Sequence, residues 1–176
     1  MRKYLTVVSL LIMSAFSFAV VAGWRIVEGY QIRFDGKYAH GSFRQMEGNI
    51  RFDPGHPEDS RFEVSVDVAS IDTGIELKNK HAKSDKWFYA EKYPRIHFAS
   101  TSVSRTDTGF VVRGELELKG IKKAIAIPFA FRSTGDQHVF YGRFKVNRGD
   151  FGIGKVSGGE SDSTAVEVSV PVLALE

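Results

Sequence analysis

Five histidines, His40, His56, His81, His97 and His138, are the first residues to ask for chemistry, and they lie in five separate segments. None forms a helical His-x-x-x-His pair or a Glu-x-x-His spacing, so no metal-ligand motif is legible. Gly149-Asp150-Phe151-Gly152-Ile153-Gly154-Lys155 nearly spells a phosphate loop. Val156 stands where a magnesium-binding hydroxyl belongs, however, and no helix follows to receive an anion. The segment reads instead as a glycine-rich strand end where backbone turns sharply or is closely approached. No Gly-x-Ser-x-Gly elbow occurs, and the chain has no cysteine, which removes thiolate sites, disulfides and cysteine nucleophiles. The residues therefore point away from an enzyme.

The elements that would position any site are strands. Phe62, Val64, Val66 and Val68 share one face, with Glu63, Ser65 and Asp67 on the other. The same period of two places Phe110, Val112, Gly114, Leu116 and Leu118 together, then Phe140, Gly142, Phe144 and Val146, then Val166, Val168, Val170 and Val172. Shorter candidates run over 24–34, 47–52 and 95–103, the last including Ile96 and Phe98. Ile125, Ile127, Phe129 and Phe131 form a further strand whose other face, Ala124, Ala126, Pro128 and Ala130, is also apolar. That second face predicts a cover, and Pro128 predicts an edge or a bulge. Turn signals at 53–55, 107–109, 119–120 and 134–136 separate the runs. About eight hairpin-linked strands favour a closed antiparallel barrel, with a sandwich as the alternative.

Residues 73–93 break this pattern. Thr73 and Glu76 have capping-box spacing, a short basic helix follows, and Trp87, Phe88, Tyr89 and Tyr93 crowd together before Pro94. The insertion reads as a lid over one barrel end or a plug within it.

The N-terminus has a different character. Arg2 and Lys3 precede an apolar run from Leu5 to Val21 that ends at Ala22. This is the pattern of a secretory signal peptide over 1–22, leaving 23–176 as one exported barrel domain and predicting a periplasmic location. Removal takes two basic residues and no acid, which brings the formal net charge of +3 close to neutral and argues against nucleic acid as a partner. Of 14 phenylalanines, only Phe16 and Phe18 leave with the leader.

Asp67-Val68-Ala69-Ser70-Ile71-Asp72-Thr73-Gly74, the helix bearing Asn79-x-His81, Phe88-x5-Pro94-x-Ile96-x-Phe98, Gly114-x-Leu116-x-Leu118-x-Gly120 and Asn147-Arg148-x-Asp150-Phe151-Gly152 occur in one order. In that order and spacing they resemble the YceI family of periplasmic, polyisoprenoid-binding-like proteins. The Asp-x-x-His-Ser that many members carry after the opening tryptophan is absent here, where Trp24 leads to Val27-Glu28-Gly29-Tyr30-Gln31. The resemblance implies an all-β, extended lipocalin-like antiparallel β-barrel with one helical and aromatic insertion. It also implies an isoprenoid-type lipid or similar amphiphile held non-covalently in the cavity, with no cofactor.

The expected cavity wall is Phe62, Val64, Val66, Ile96, Phe98 and Phe110, continued by Val112, Leu116, Ile127, Phe129, Phe140 and Phe144. Gly114 and Gly142 are expected to leave room for the ligand. His81 and Arg148 stand as head-group candidates; the alternative has Arg148 holding a strand end through Asp150. Two other functions compete: a small outer-membrane β-barrel, and an interaction module whose core is filled by its own phenylalanines. Transient membrane contact and a homodimer are open partner readings.

Overall fold

The computed structural model describes residues 22–38, 40–158 and 162–175. The signal-peptide reading falls, apart from Ala22, outside them.

Eleven strand segments build eight long strands. The first strand is β1 (Gly23–Ile26) with β2 (Gln31–Gly36), the second β3 (His40–Phe43) with β4 (Met46–Arg51), and the third β5 (Arg61–Asp67) with β6 (Ile71–Asp72). Helix α1 (Glu76–Lys83) follows, then β7 (Arg95–Thr106), β8 (Gly109–Leu118), β9 (Ile121–Thr134), β10 (Gln137–Asn147) and β11 (Ser163–Ala174). Every strand pairs antiparallel with its chain neighbour, and Trp24 opposite Ala174 and Ile26 opposite Val172 close the ring. Closure removes the sheet edges that an open meander would expose.

The first three strands break side by side, and polar side chains stitch the break. Tyr30 Oη donates to the Arg44 carbonyl and accepts from the Met46 amide, both at 3.0 Å. Ser70 Oγ donates to the Asp67 carbonyl at 2.6 Å and accepts from the Arg44 and Gln45 amides at 3.1 Å. Backbone groups released from the ladder thus keep partners while the sheet bends.

Parity sorts the long strands as the sequence predicts. Phe110, Val112, Leu116 and Leu118 are buried, whereas Arg113 and Glu115 are exposed. On β9 the expected cover is missing: Ala124, Ala126 and Pro128 face outward and are exposed. These small side chains present too little apolar area to need a layer above them. Pro128 stands where the β9–β10 ladder stops, just before its last pair, Phe129 with Gly142. From there to the β8–β9 hairpin, β9 pairs with β8 alone.

Gly114 also has a different reason to be glycine. A Cβ there would strike the Ala99 carbonyl and lie 2.8 Å from the Phe98 ring, beside the register shift between Ser100 and Ser102. The space it vacates is filled by protein, not left for a ligand. Gly114→Ala is therefore expected to destabilise the barrel by about 1–3 kcal/mol, read from the urea midpoint at unchanged m-value.

Candidate functional site

The inward faces enclose a cavity of about 450 Å³, within the range of small-molecule sites. One end is closed by rings. Phe52 is 0% exposed and sits 5.0–6.0 Å, ring to ring, from Phe62, Phe110, Phe129, Phe131 and Phe140. Trp24 packs edge-on against Phe131 at 5.1 Å and donates its Nε1–H to the Phe52 carbonyl at 2.8 Å. His138 stacks on Phe131 and bonds Ser133 Oγ at 2.8 Å, so it belongs to this plug.

Above the plug the wall is aliphatic and aromatic. Phe62, Val64, Val66, Ile96, Phe98, Val112, Leu116, Ile127, Phe129, Phe140 and Phe144 all line the cavity. Phe110, expected with them, does not; it stacks on Phe129 at 5.4 Å inside the plug. Residues not anticipated include Ile32, Phe34, Phe43, Ile71, Trp87 and Phe88. Phe43 meets Phe34 and Phe88 at 5.6 and 5.8 Å, a cluster that ties the insertion to the first two strands. Ile32, Phe34, Phe43 and Ile71 lie on short, broken strands with no long run of alternation to announce them, and Trp87 and Phe88 lie in the turn after α1.

The other end is polar and open, with Lys37, Tyr38, Thr73, Lys78, His81, Trp87 and Arg148 around it. The insertion reaches this rim in the role of a lid, but its start is not the expected capping box. Thr73 gives its N–H and its hydroxyl to Asn79 Oδ1, at 2.8 and 2.7 Å, and Ile75 occupies the N-cap without a side-chain bond. Asp72 accepts from the Gly74 amide at 2.9 Å and pairs with Arg44. The Gly74 amide first, and then Arg44, hold the Asp72 carboxyl below the ordinary aspartate value. A depressed carboxyl contributes stability at higher pH and loses it as pH falls through its folded-state pKa. The Gly74 amide resonance is thus expected to titrate below the ordinary aspartate range, and Asp72→Asn to abolish the titration.

Arg148 and His81 differ in kind. The Arg148 guanidinium is buried; it pairs with Asp162, donates to the Ile153 carbonyl at 2.7 Å and lies 4.6 Å over the Tyr38 ring. Its partner is Asp162, not Asp150, and Asp162 further accepts the Ser157 and Gly158 amides at 2.9 and 2.7 Å. The pair folds the loop after β10 across the rim, where Gly154 donates to the Lys86 carbonyl at 2.9 Å. His81 and Lys78, by contrast, are exposed at the mouth, and neither side chain has a polar partner among the described residues.

The remaining histidines disperse: His56 pairs with Asp53 at 3.2 Å, His97 stands 4.0 Å from Glu63, and His40 lies exposed on β3. Among the described residues, no three histidine, aspartate or glutamate side chains gather where they could hold a metal.

A closed eight-strand barrel with an aromatic floor, an apolar shaft and a basic mouth is the frame on which sequence comparison converges. The YceI-like domain model matches residues 24–174. The chain belongs to the YceI-like family.

A UPF0312 protein of Photorhabdus laumondii is 32% identical over 108 residues, spanning 61% of this chain and 56% of that protein. One from Azotobacter vinelandii is 33% identical over 141 residues, covering 76% and 73%. Among solved structures, Burkholderia cenocepacia BcnA superposes with a TM-score of 0.74 at 23% identity, over 81% of this chain and 95% of that one. A polyisoprenoid-binding domain from Saccharophagus degradans gives 0.63 at 14% identity, over 89% and 100%. At these identities the solved structures support the fold, which is the lipocalin-like barrel of the YceI family.

Proposed function

We propose that this YceI-like protein binds, and carries or stores, a long-chain isoprenoid-type or similar amphiphilic lipid, and does so without catalysing a reaction. The observation that carries this reading is the cavity itself: about 450 Å³, apolar along its shaft, floored by rings and polar only at its mouth. Hydrocarbon in such a shaft leaves water without forfeiting a hydrogen bond, while a polar head stays at the wet end. Lys78 and His81 are the side chains placed to meet that head.

The competing outer-membrane barrel needs apolar residues outside. Here the outward positions carry Arg113, Glu115, Glu117, Arg143 and Glu167, with Arg143 paired to Glu167. The lipid-facing band of a membrane barrel is the inverse of this pattern. The self-filled module describes the plug half of the barrel but leaves the shaft unaccounted for.

Export through the N-terminal signal peptide to the periplasm is part of the same reading. A mature chain that begins at Gly23 retains an anchor of the plug, since Trp24 Nε1–H donates to the Phe52 carbonyl at 2.8 Å.

Native mass spectrometry of protein purified from periplasm tests the proposal. An additional mass in the hydrocarbon-lipid range is expected, released by organic solvent and absent from Val168→Trp, which fills the shaft. A stably folded wild type with only its apo mass, and no uptake of a fluorescent fatty-chain probe, would overturn the reading.

A further inference from the structure

The mouth is also where the molecule shows most of its uncovered apolar surface. Among the described residues, exposed large apolar side chains are Tyr38, Ile75, Leu77, Ile121 and Val156 on mouth-end segments, against Leu173 and Leu175 at the plug end. Leu77, 62% exposed, precedes the cavity-lining His81 by one turn of α1. Tyr38 lies 6.3 Å from Trp87 and bonds Ser157 Oγ at 3.3 Å, which puts Val156 beside the same rim. Apolar side chains on a rim surrounding a cavity entrance have no partner within the fold to bury them.

Charge is divided along the same axis. The insertion carries Lys78, Lys80, Lys83 and Lys86 through its helix and the turn after it, against Glu76 and Asp85. Lys37 and Lys155 flank it. At the plug end, loops 52–60, 107–108 and 135–136 carry Asp53, Glu58, Asp59, Asp107 and Asp136, balanced by neighbouring arginines, of which Arg61 and Arg105 bond the Ser60 and Pro54 carbonyls. A barrel with its lysine excess at one end turns that mouth, and not the charge-balanced plug end, toward a negative surface.

We infer that this rim is a docking surface for an anionic lipid bilayer, with Leu77 and Ile75 entering the head-group layer and the surrounding lysines meeting lipid phosphates. Tyr38 and Trp87 have the amphipathic rings that settle at such an interface. One short apolar stripe binds weakly alone, and added basic residues strengthen it. Each lysine near an anionic surface is worth about a fivefold gain in affinity. The inference stands apart from what fills the shaft, since it concerns the rim and not the cavity.

Co-sedimentation of the mature chain with vesicles tests it, because the pairs that close the barrel start at Trp24. Equimolar phosphatidylcholine and phosphatidylglycerol should pellet the protein, pure phosphatidylcholine should not, and high salt should release it. Lys80→Ala with Lys86→Ala should cost about twenty-five-fold in vesicle affinity. Leu77→Glu should remove binding, whereas Leu175→Glu at the plug end should leave it intact. Uptake of a soluble fluorescent fatty-chain probe and the melting temperature should be unchanged in all three, separating the rim from the cavity. Equal pelleting with neutral vesicles, unaltered pelleting by the lysine variant, or dimerisation through Leu77 without vesicle binding would overturn it.

Discussion

Phe52→Ala is expected to destabilise the barrel by about 3–5 kcal/mol, at the upper end of large-to-small substitutions. Phe52 is the centre of the plug, fully buried, with five phenylalanine rings around it at edge-on and tilted angles. Those pairings add to the burial of the ring itself. Collapse cannot recover the loss, because the surrounding rings project from strands whose spacing is fixed by closed ladders. The vacated space lies directly beneath Phe62, Phe129 and Phe140, which form the cavity floor. The shaft should therefore deepen as stability falls, and longer fatty chains should gain affinity relative to shorter ones. Urea unfolding and a chain-length series of fatty-acid probes measure the two effects, and Phe52→Leu should show both in reduced form. A loss under about 1 kcal/mol would mean that the neighbouring rings refill the site and that Phe52 does not hold the end closed.

Asp162→Ala is expected to cost a similar amount, about 3–5 kcal/mol, for a different physical reason. Asp162 is 1% exposed and is the counter-charge of the buried Arg148. Removing it leaves a guanidinium without its carboxylate and deprives the Ser157 and Gly158 amides of their side-chain acceptor. An unpaired buried charge costs far more than an intact pair contributes, so Arg148→Met combined with Asp162→Leu should recover most of the loss. Methionine keeps a flexible apolar contact with the Tyr38 ring where the guanidinium now lies. Because the charge of Arg148 is committed to Asp162, the double variant should take up an anionic fatty probe as wild type does. Lys78→Glu should weaken that uptake without altering the melting temperature. Loss of uptake in the folded double variant would instead assign Arg148 to the head group.

These two residues show where reading by sequence reaches its limit. Phe110 and Phe129 lie on long alternating strands, so their inward direction was legible; that Phe110 belongs to the plug and not the wall was not. Depth along a barrel depends on stagger between strands, and parity carries no information about stagger. Phe52 ends the short candidate strand 47–52, where Ile50 is the one other large apolar residue, and β4 itself stops at Arg51. For Arg148 the nearby carboxylate, Asp150, was the natural partner by sequence, yet the loop returns and delivers Asp162 from fourteen residues on.

The sequence by itself determined the alternation, the turns and the inserted helix with its aromatic cluster, which left barrel and sandwich both open, and the order of its motifs implied the barrel of this family. These are local properties, set by side-chain period and backbone preference within a few residues. Only the tertiary structure decided which phenylalanines fill and which line. Closing the ring brings β1 onto β11 and drops Phe52 among strands up to 88 residues away, the separation of Phe140. The rings do both things: packed around Phe52 they seal one end, and along the shaft they leave the space that a single strand's pattern cannot show.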